Sequence, residues 1–178
     1  MSDRQNTHVT GKEVFFKPEE IIVSKTDLKG RIMYANRVFI DISGYTEEEL
    51  LGQPHSILRH PDMPRCVFKA LWDTIQAGSE IFAYVINKCK NGDHYWVFAH
   101  VTPTYGADGQ IAGYHSNRRV PDPEIVQGTI VPLYQALLAE EAKFANRKEG
   151  MEAGGQLLGS VLKEKGMEYD ELIFTLQG

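Results

Sequence analysis

Arg59, His60 and Asp62 fall within four positions of one another, inside the stretch GQPHSILRHPDMP at residues 52–64. A guanidinium supplies a permanent positive charge, an imidazole titrates near neutrality, and a carboxylate accepts hydrogen bonds. Pro61 and Pro64 interrupt the set. Proline lacks an N–H and clashes with the preceding turn, so the stretch does not settle into one long helix. Charged and titratable groups held between prolines suit a wall built around a polar ligand. The same composition suits a solvated loop between helices, and composition alone does not separate the two.

The neighbouring elements must position these groups. An acidic segment, residues 46–50, precedes the stretch, with Thr46 and Glu49 spaced as a capping box and Gly52 as the stop. After it, Val67, Phe68, Leu71, Trp72 and Ile75 recur at helical spacing, predicting a helix over about 64–76. Upstream, residues 21–27 and 31–35 read as a hairpin around Asp27-Leu28-Lys29-Gly30, and Asn36 caps a short helix. From residue 80 the period becomes two. Strands are expected over 81–90, 94–104 and 110–120, the first two joined by Asn91-Gly92. A helix over about 124–147 follows Pro121 and Pro123, with Gly154-Gly155 breaking the pattern before two weaker helices at 157–165 and 168–176. Two groups of strands around helices predict an α+β fold: a five-stranded antiparallel sheet with short helices on one face and a C-terminal helix.

Composition narrows the function. The chain has 178 residues and a formal net charge of −5, which disfavours a general nucleic-acid or anionic-membrane surface. No apolar run approaches the roughly 18 residues that span a bilayer. The polar start, MSDRQNTHVTGKEV, lacks a signal-peptide core, so a cytoplasmic location is expected. Cys66 and Cys89 are too few and too far apart for a zinc knuckle or a CxxC motif and read as buried thiols. There is no nucleophile–base motif, no metal-ligand spacing and no glycine-rich phosphate loop, so a non-enzymatic role is expected.

The segments TDLKGRIMYAN, FIDISGYTEEELLGQPHSILRHPDMP, KNGDHYWV and IAGYHSNR resemble a PAS domain, and among PAS domains the sensory kind found in bacterial aerotaxis receptors. SGYT followed by the acidic segment is a general signature, whereas RHPDMP together with KNGDHYWV is far more specific. The resemblance covers about residues 20–121. It divides the chain into an N-terminal arm (1–19), a PAS sensor domain (20–121), an output or linker helix (122–149) and a helical tail of unknown role (150–178). It implies a five-stranded fold that holds FAD without covalent attachment and senses redox state or oxygen. Carried over by motif, Arg59, His60, Asp62, Trp72 and Asn87 are the implied cofactor-facing set. Arg59 suits pyrophosphate or a reduced ring, Asn87 offers both donor and acceptor to a pyrimidine edge, and Trp72 offers a stacking surface. Trp72 equally suits the core stripe of its helix, and Asn87 a turn or edge-strand amide.

The chain departs from those patterns in places. Ile81 and Ala83 stand where the aerotaxis pattern has tryptophan and glycine. His55 stands where light-sensing flavin PAS domains carry a reactive cysteine, so a photochemical adduct is not expected. His115 stands at their last-strand glutamine; it suits a flavin edge or a haem iron. Two other readings therefore stay open: a haem-binding gas sensor, and a cofactor-free PAS module for dimerisation or docking. Residues 1–178 contain no apolar run long enough to span a bilayer and no recognisable output domain, and the signal is expected to pass through the helix after Pro123 to a second copy or to a chemoreceptor, histidine kinase or cyclic-nucleotide enzyme.

Overall fold

The computed structural model describes residues 8–178. β1 (Ile22–Thr26) and β2 (Ile32–Ala35) form the expected hairpin. Asp27 closes its turn by accepting from the N–H groups of Lys29 (2.8 Å) and Arg31 (2.9 Å). Gly30 turns the chain at φ +75°, where a side chain costs about 1–2 kcal/mol. Asn36 then does two jobs. Its Oδ1 accepts from Phe39, capping α1 (Arg37–Ser43), and also from Val23 of β1. The Thr46–Glu49 capping box opens α2 (Glu47–Leu50) as the spacing predicts. A 3-10 turn (His55–Leu58) and α3 (Arg65–Gln76) follow. Val67, Leu71 and Ile75 of the expected α3 stripe are buried, with Cys66 beside them, while Phe68 and Trp72 are half-buried.

β3 (Ile81–Lys88), β4 (His94–Tyr105) and β5 (Ile111–Arg119) complete one antiparallel sheet, in the order β2-β1-β5-β4-β3. The register pairs Val85 with Val97 and Asn87 with Tyr95 on one face, and Tyr84 with Phe98 and Phe82 with His100 on the other. The N-terminal arm is fixed to the β3–β4 turn: Thr10 Oγ1 donates to Asp93 (2.5 Å), and the Val14 N–H donates to His94 (2.8 Å). Phe16 packs on the core, whereas Phe15 is 74% exposed. The first seven residues of the arm lie outside those described.

The C-terminal half departs from the periodicity in two places. The expected helix over 124–147 is α4 (Pro123–Ile125), a π-helical turn (Val126–Ile130) and α5 (Val131–Glu141). Pro132 explains the π turn, because it has no N–H to give Gly128 and its ring would crowd that carbonyl. Val131 instead donates five residues back, to Val126. The helix then stops, and Asn146 caps a new one, α6 (Arg147–Lys165). Gly154-Gly155 does not interrupt α6. Its glycines allow close approach: a Cβ at Gly150 would lie 2.5 Å from the Glu141 carbonyl oxygen, and one at Gly154 2.9 Å from Glu141 Cγ. α7 (Tyr169–Leu176) ends the chain. α5 and α7 cover the β3 edge, with the Tyr134 hydroxyl donating to the Tyr84 carbonyl (2.5 Å) and Phe174 edge-on to Phe82 (5.3 Å).

Candidate ligand-binding cavity

Between the sheet and α3 lies a partly open cavity. Its walls are mostly apolar: Met63, Phe68, Leu71, Trp72 and Ile75 on the helical side, and Val85, Ala99 and Val101 on the sheet. Trp72 stands edge-on to Tyr114, ring centroids 5.6 Å apart. It is seated against Gly30, where a Cβ would come within 2.7 Å of the indole. That close approach is a second reason for glycine in the β1–β2 turn.

Polar groups enter from three directions. Arg59 comes from the end of the 3-10 turn, Asn87 from β3 and Arg118 from β5. Arg59 lies over the Phe68 ring at 4.4 Å. Burial first, then the charges of Arg65 and Arg147, lower its pKa, while Glu141 opposes them. Arg118 is 2% exposed. It donates to Ser24 Oγ (2.5 Å), faces His55 Nε2 at 3.5 Å and lies over Phe39 at 4.6 Å. Burial pulls its pKa down to about 10. Burial, then the Arg118 charge, drives His55 down to about 3, so His55 is neutral at physiological pH.

Two guanidinium nitrogens in this lining, Arg59 Nε and Arg118 Nε, are buried without a hydrogen-bond partner, whereas the Asn87 amide lies against the Tyr95 hydroxyl. No aspartate or glutamate is among the lining residues. A buried donor left unpaired costs about 1–3 kcal/mol, more if charged. The cavity thus has unspent donors and positive charge and nothing of its own to neutralise them. It suits a planar, largely apolar ligand that carries acceptors or negative charge at its edges.

Arg59, Trp72 and Asn87 of the motif-derived set are brought together in this lining. His60, Asp62 and His115 are not among the lining residues. His60 is buried beside His94, ring centroids 5.4 Å apart, and its Nδ1 accepts from the Asp62 N–H (3.1 Å). The Asp62 side chain is 71% exposed. His115 alternates with Tyr114 and Ser116 on β5 and so lies on the opposite face of the sheet. Sequence reasoning missed Arg118. Its signal was the period of two that aligns it with Tyr114 and Ser116, but period alone does not say which face is inward.

Residues 32–117 match the PAS fold family. The chain is 44% identical over 133 residues to the aerotaxis receptor of Escherichia coli (strain K12), covering 74% of this chain and 26% of the receptor. It is 28% identical over 99 residues to the nitrogen fixation regulatory protein of Klebsiella pneumoniae, covering 56% of this chain and 20% of that protein. The chain therefore spans about a quarter or less of these relatives' lengths. Among solved structures, the light-state blue-light photoreceptor Aureochrome1 LOV aligns at TM-score 0.54 and 22% identity, covering 64% of this chain and 89% of that one. A PAS domain from Colwellia psychrerythraea aligns at 0.52 and 23%, covering 57% and 86%. With the strand order, the α1–α3 layer and the cavity between them, these likenesses identify the β1–β5 unit as a member of the PAS family, resembling the sensory domain of aerotaxis receptors.

Proposed function

We propose that this PAS domain binds FAD non-covalently and serves as a redox or oxygen sensor in a taxis-like signalling pathway, with no catalytic turnover of its own. The observation that carries the reading is the pair of buried, unpartnered guanidinium donors on Arg59 and Arg118, with the Asn87 amide also in the lining, set in an apolar cavity without a carboxylate among its lining residues. A flavin supplies reversible electron acceptance, with a change in ring charge and hydrogen bonding. In this chain Asn87 would offer the donor and acceptor that a pyrimidine edge requires. Arg59 and Arg118 would supply positive charge to a reduced, negatively charged ring. Phe68, Leu71, Trp72 and Ile75 would exclude water from a bound ring. His55 stays neutral and offers Arg118 an acceptor. Haem held by His115 draws no support from this geometry, because that imidazole lies across the sheet.

The signal leaves through the helices after Pro123 to a second copy or to a chemoreceptor, histidine kinase or cyclic-nucleotide enzyme. Among the described residues no helix is long and apolar enough to cross a membrane, which is compatible with a cytoplasmic sensor. The test is the absorption spectrum of freshly purified protein, with the released cofactor identified after heat denaturation. Two flavin bands with FAD in the supernatant are expected, and about tenfold weaker binding in Asn87→Ala. A haem band, or a colourless protein that takes up no added flavin, would overturn the reading.

A further inference from the structure

Helix α3 forms the cavity wall, yet its own sequence does not cap it. The residue at its N-cap is Pro64, which contributes no side-chain hydrogen bond, and its first turn holds no acidic residue. The first N–H groups of a helix require acceptors and favour negative charge. Both come from the far end of the chain. Glu141, the last residue of α5, is 5% exposed. Its carboxylate accepts from the N–H of Cys66 (2.9 Å) and of Arg65 (3.3 Å). Glu141 is gripped in turn by α6, whose Gly150 and Gly154 leave it room only because they lack side chains. One buried carboxylate thus joins α3, α5 and α6.

The same end of α3 faces the cavity. Arg59 and Met63 lie just before it, and Phe68 within its first turns carries the Arg59 guanidinium. A ligand that engages Arg59 orders the 59–68 segment from inside the cavity, and Glu141 orders it from outside.

We infer that Glu141 is a positioning residue that locks the C-terminal helices onto the ligand-facing wall, so that cavity occupancy and docking of α6–α7 reinforce each other. The coupling rests on the flavin reading above; the lock does not. Two events that order one element are positively linked, and the linkage is reciprocal.

The structure also supplies a covalent control. An ideal Cβ at Gly155 lies 4.0 Å from Cys66 Cβ, with nothing nearer. That is within the 3.5–4.5 Å span of a disulfide. Gly155→Cys, treated with oxidised glutathione, therefore fastens α6 to the first turn of α3 without relying on Glu141.

The experiment uses the full chain, amide hydrogen exchange with and without FAD, and a flavin titration. In Glu141→Ala, exchange at the start of α3 and through α6–α7 is expected to rise about fivefold while β4 and β5 are unchanged. FAD affinity is expected to fall about fivefold. Glu141→Gln, which keeps a carbonyl acceptor, should recover most of both effects. Glu141→Ala with Gly155→Cys should recover affinity when oxidised and lose it again on reduction. In the wild type, FAD should slow exchange in α6–α7. Unchanged exchange in α6–α7 and unchanged affinity in Glu141→Ala would overturn the inference, as would a closed disulfide that restores nothing. If the wild type takes up no FAD, the functional reading falls, while exchange in the ligand-free chains still judges the lock.

Discussion

Replacing His55 by glutamine removes one titration from the protein and keeps an acceptor where Nε2 faces Arg118. His55 is half-buried, its imidazole 3.5 Å from the Arg118 guanidinium and 6.3 Å between ring centroids from Phe39. Its folded pKa is about 3 against an ordinary 6.5, because burial and then the Arg118 charge disfavour the imidazolium. As pH falls through 6.5 the unfolded chain takes up a proton that the folded chain refuses until about 3. The stability tied to neutral His55 is therefore complete above pH 6.5 and drains away below it. At pH 5 the proton-binding gap is 1.5 pH units, from 6.5 to 5, and at about 1.36 kcal/mol each this costs about 2 kcal/mol. Burial also lowers His60 and His115, so the measurement compares two chains that differ only at position 55. Urea unfolding of both at pH 8 and pH 5 should show the wild type losing about 2 kcal/mol more than His55→Gln. Equal losses would mean that folded His55 protonates as it does in water, and the pairing of neutral His55 with Arg118 would be wrong.

Arg118→Met should leave unfolding free energy within about 1 kcal/mol, since it removes a buried charge that has no carboxylate partner, yet weaken flavin uptake at least tenfold in a fluorescence titration. Gly30→Ala combines a strained φ of +75° with a methyl 2.7 Å from the indole of Trp72. It should cost about 1–3 kcal/mol and shift tryptophan emission, and an unchanged emission maximum would argue against that contact. Tyr134→Phe deletes the bond to the Tyr84 carbonyl on the β3 edge. A loss of about 1–2 kcal/mol is expected, with faster amide exchange in α5 and α7.

Short-range chemistry was legible in the chain. The Asp27 turn, the Asn36 cap and the Thr46–Glu49 box each join residues within a few positions and form as the spacing predicts; the Asn91-Gly92 hairpin forms too, but its turn closes from Cys89 to Gly92, with only the glycine at positive φ. Strand and helix periods then give the sheet and the buried face of α3, because burial follows a repeat of two or 3.6 residues. The motif brought Arg59, Trp72 and Asn87 to one cavity but did not bring His60 or His115 to it. Adjacent residues on a strand face opposite sides, and Asp62 and His94 hold His60 elsewhere. Gly154-Gly155 reads as a break because isolated glycine is a poor helix former, by about 1 kcal/mol relative to alanine. Inside α6 that cost is offset by contact with Glu141 and Cys66, which no local pattern contains.

The sequence by itself determined the elements through β5, their order and the type of sheet, since those follow from neighbours and from hydrophobic period. Only the tertiary structure decided that Arg118 turns inward against His55, and that Glu141 caps a helix whose start lies 76 residues earlier in the chain. Both depend on which buried polar groups meet when the sheet closes over α3 and α6 docks. The desolvation energies that make those meetings consequential exist only once the chain has folded.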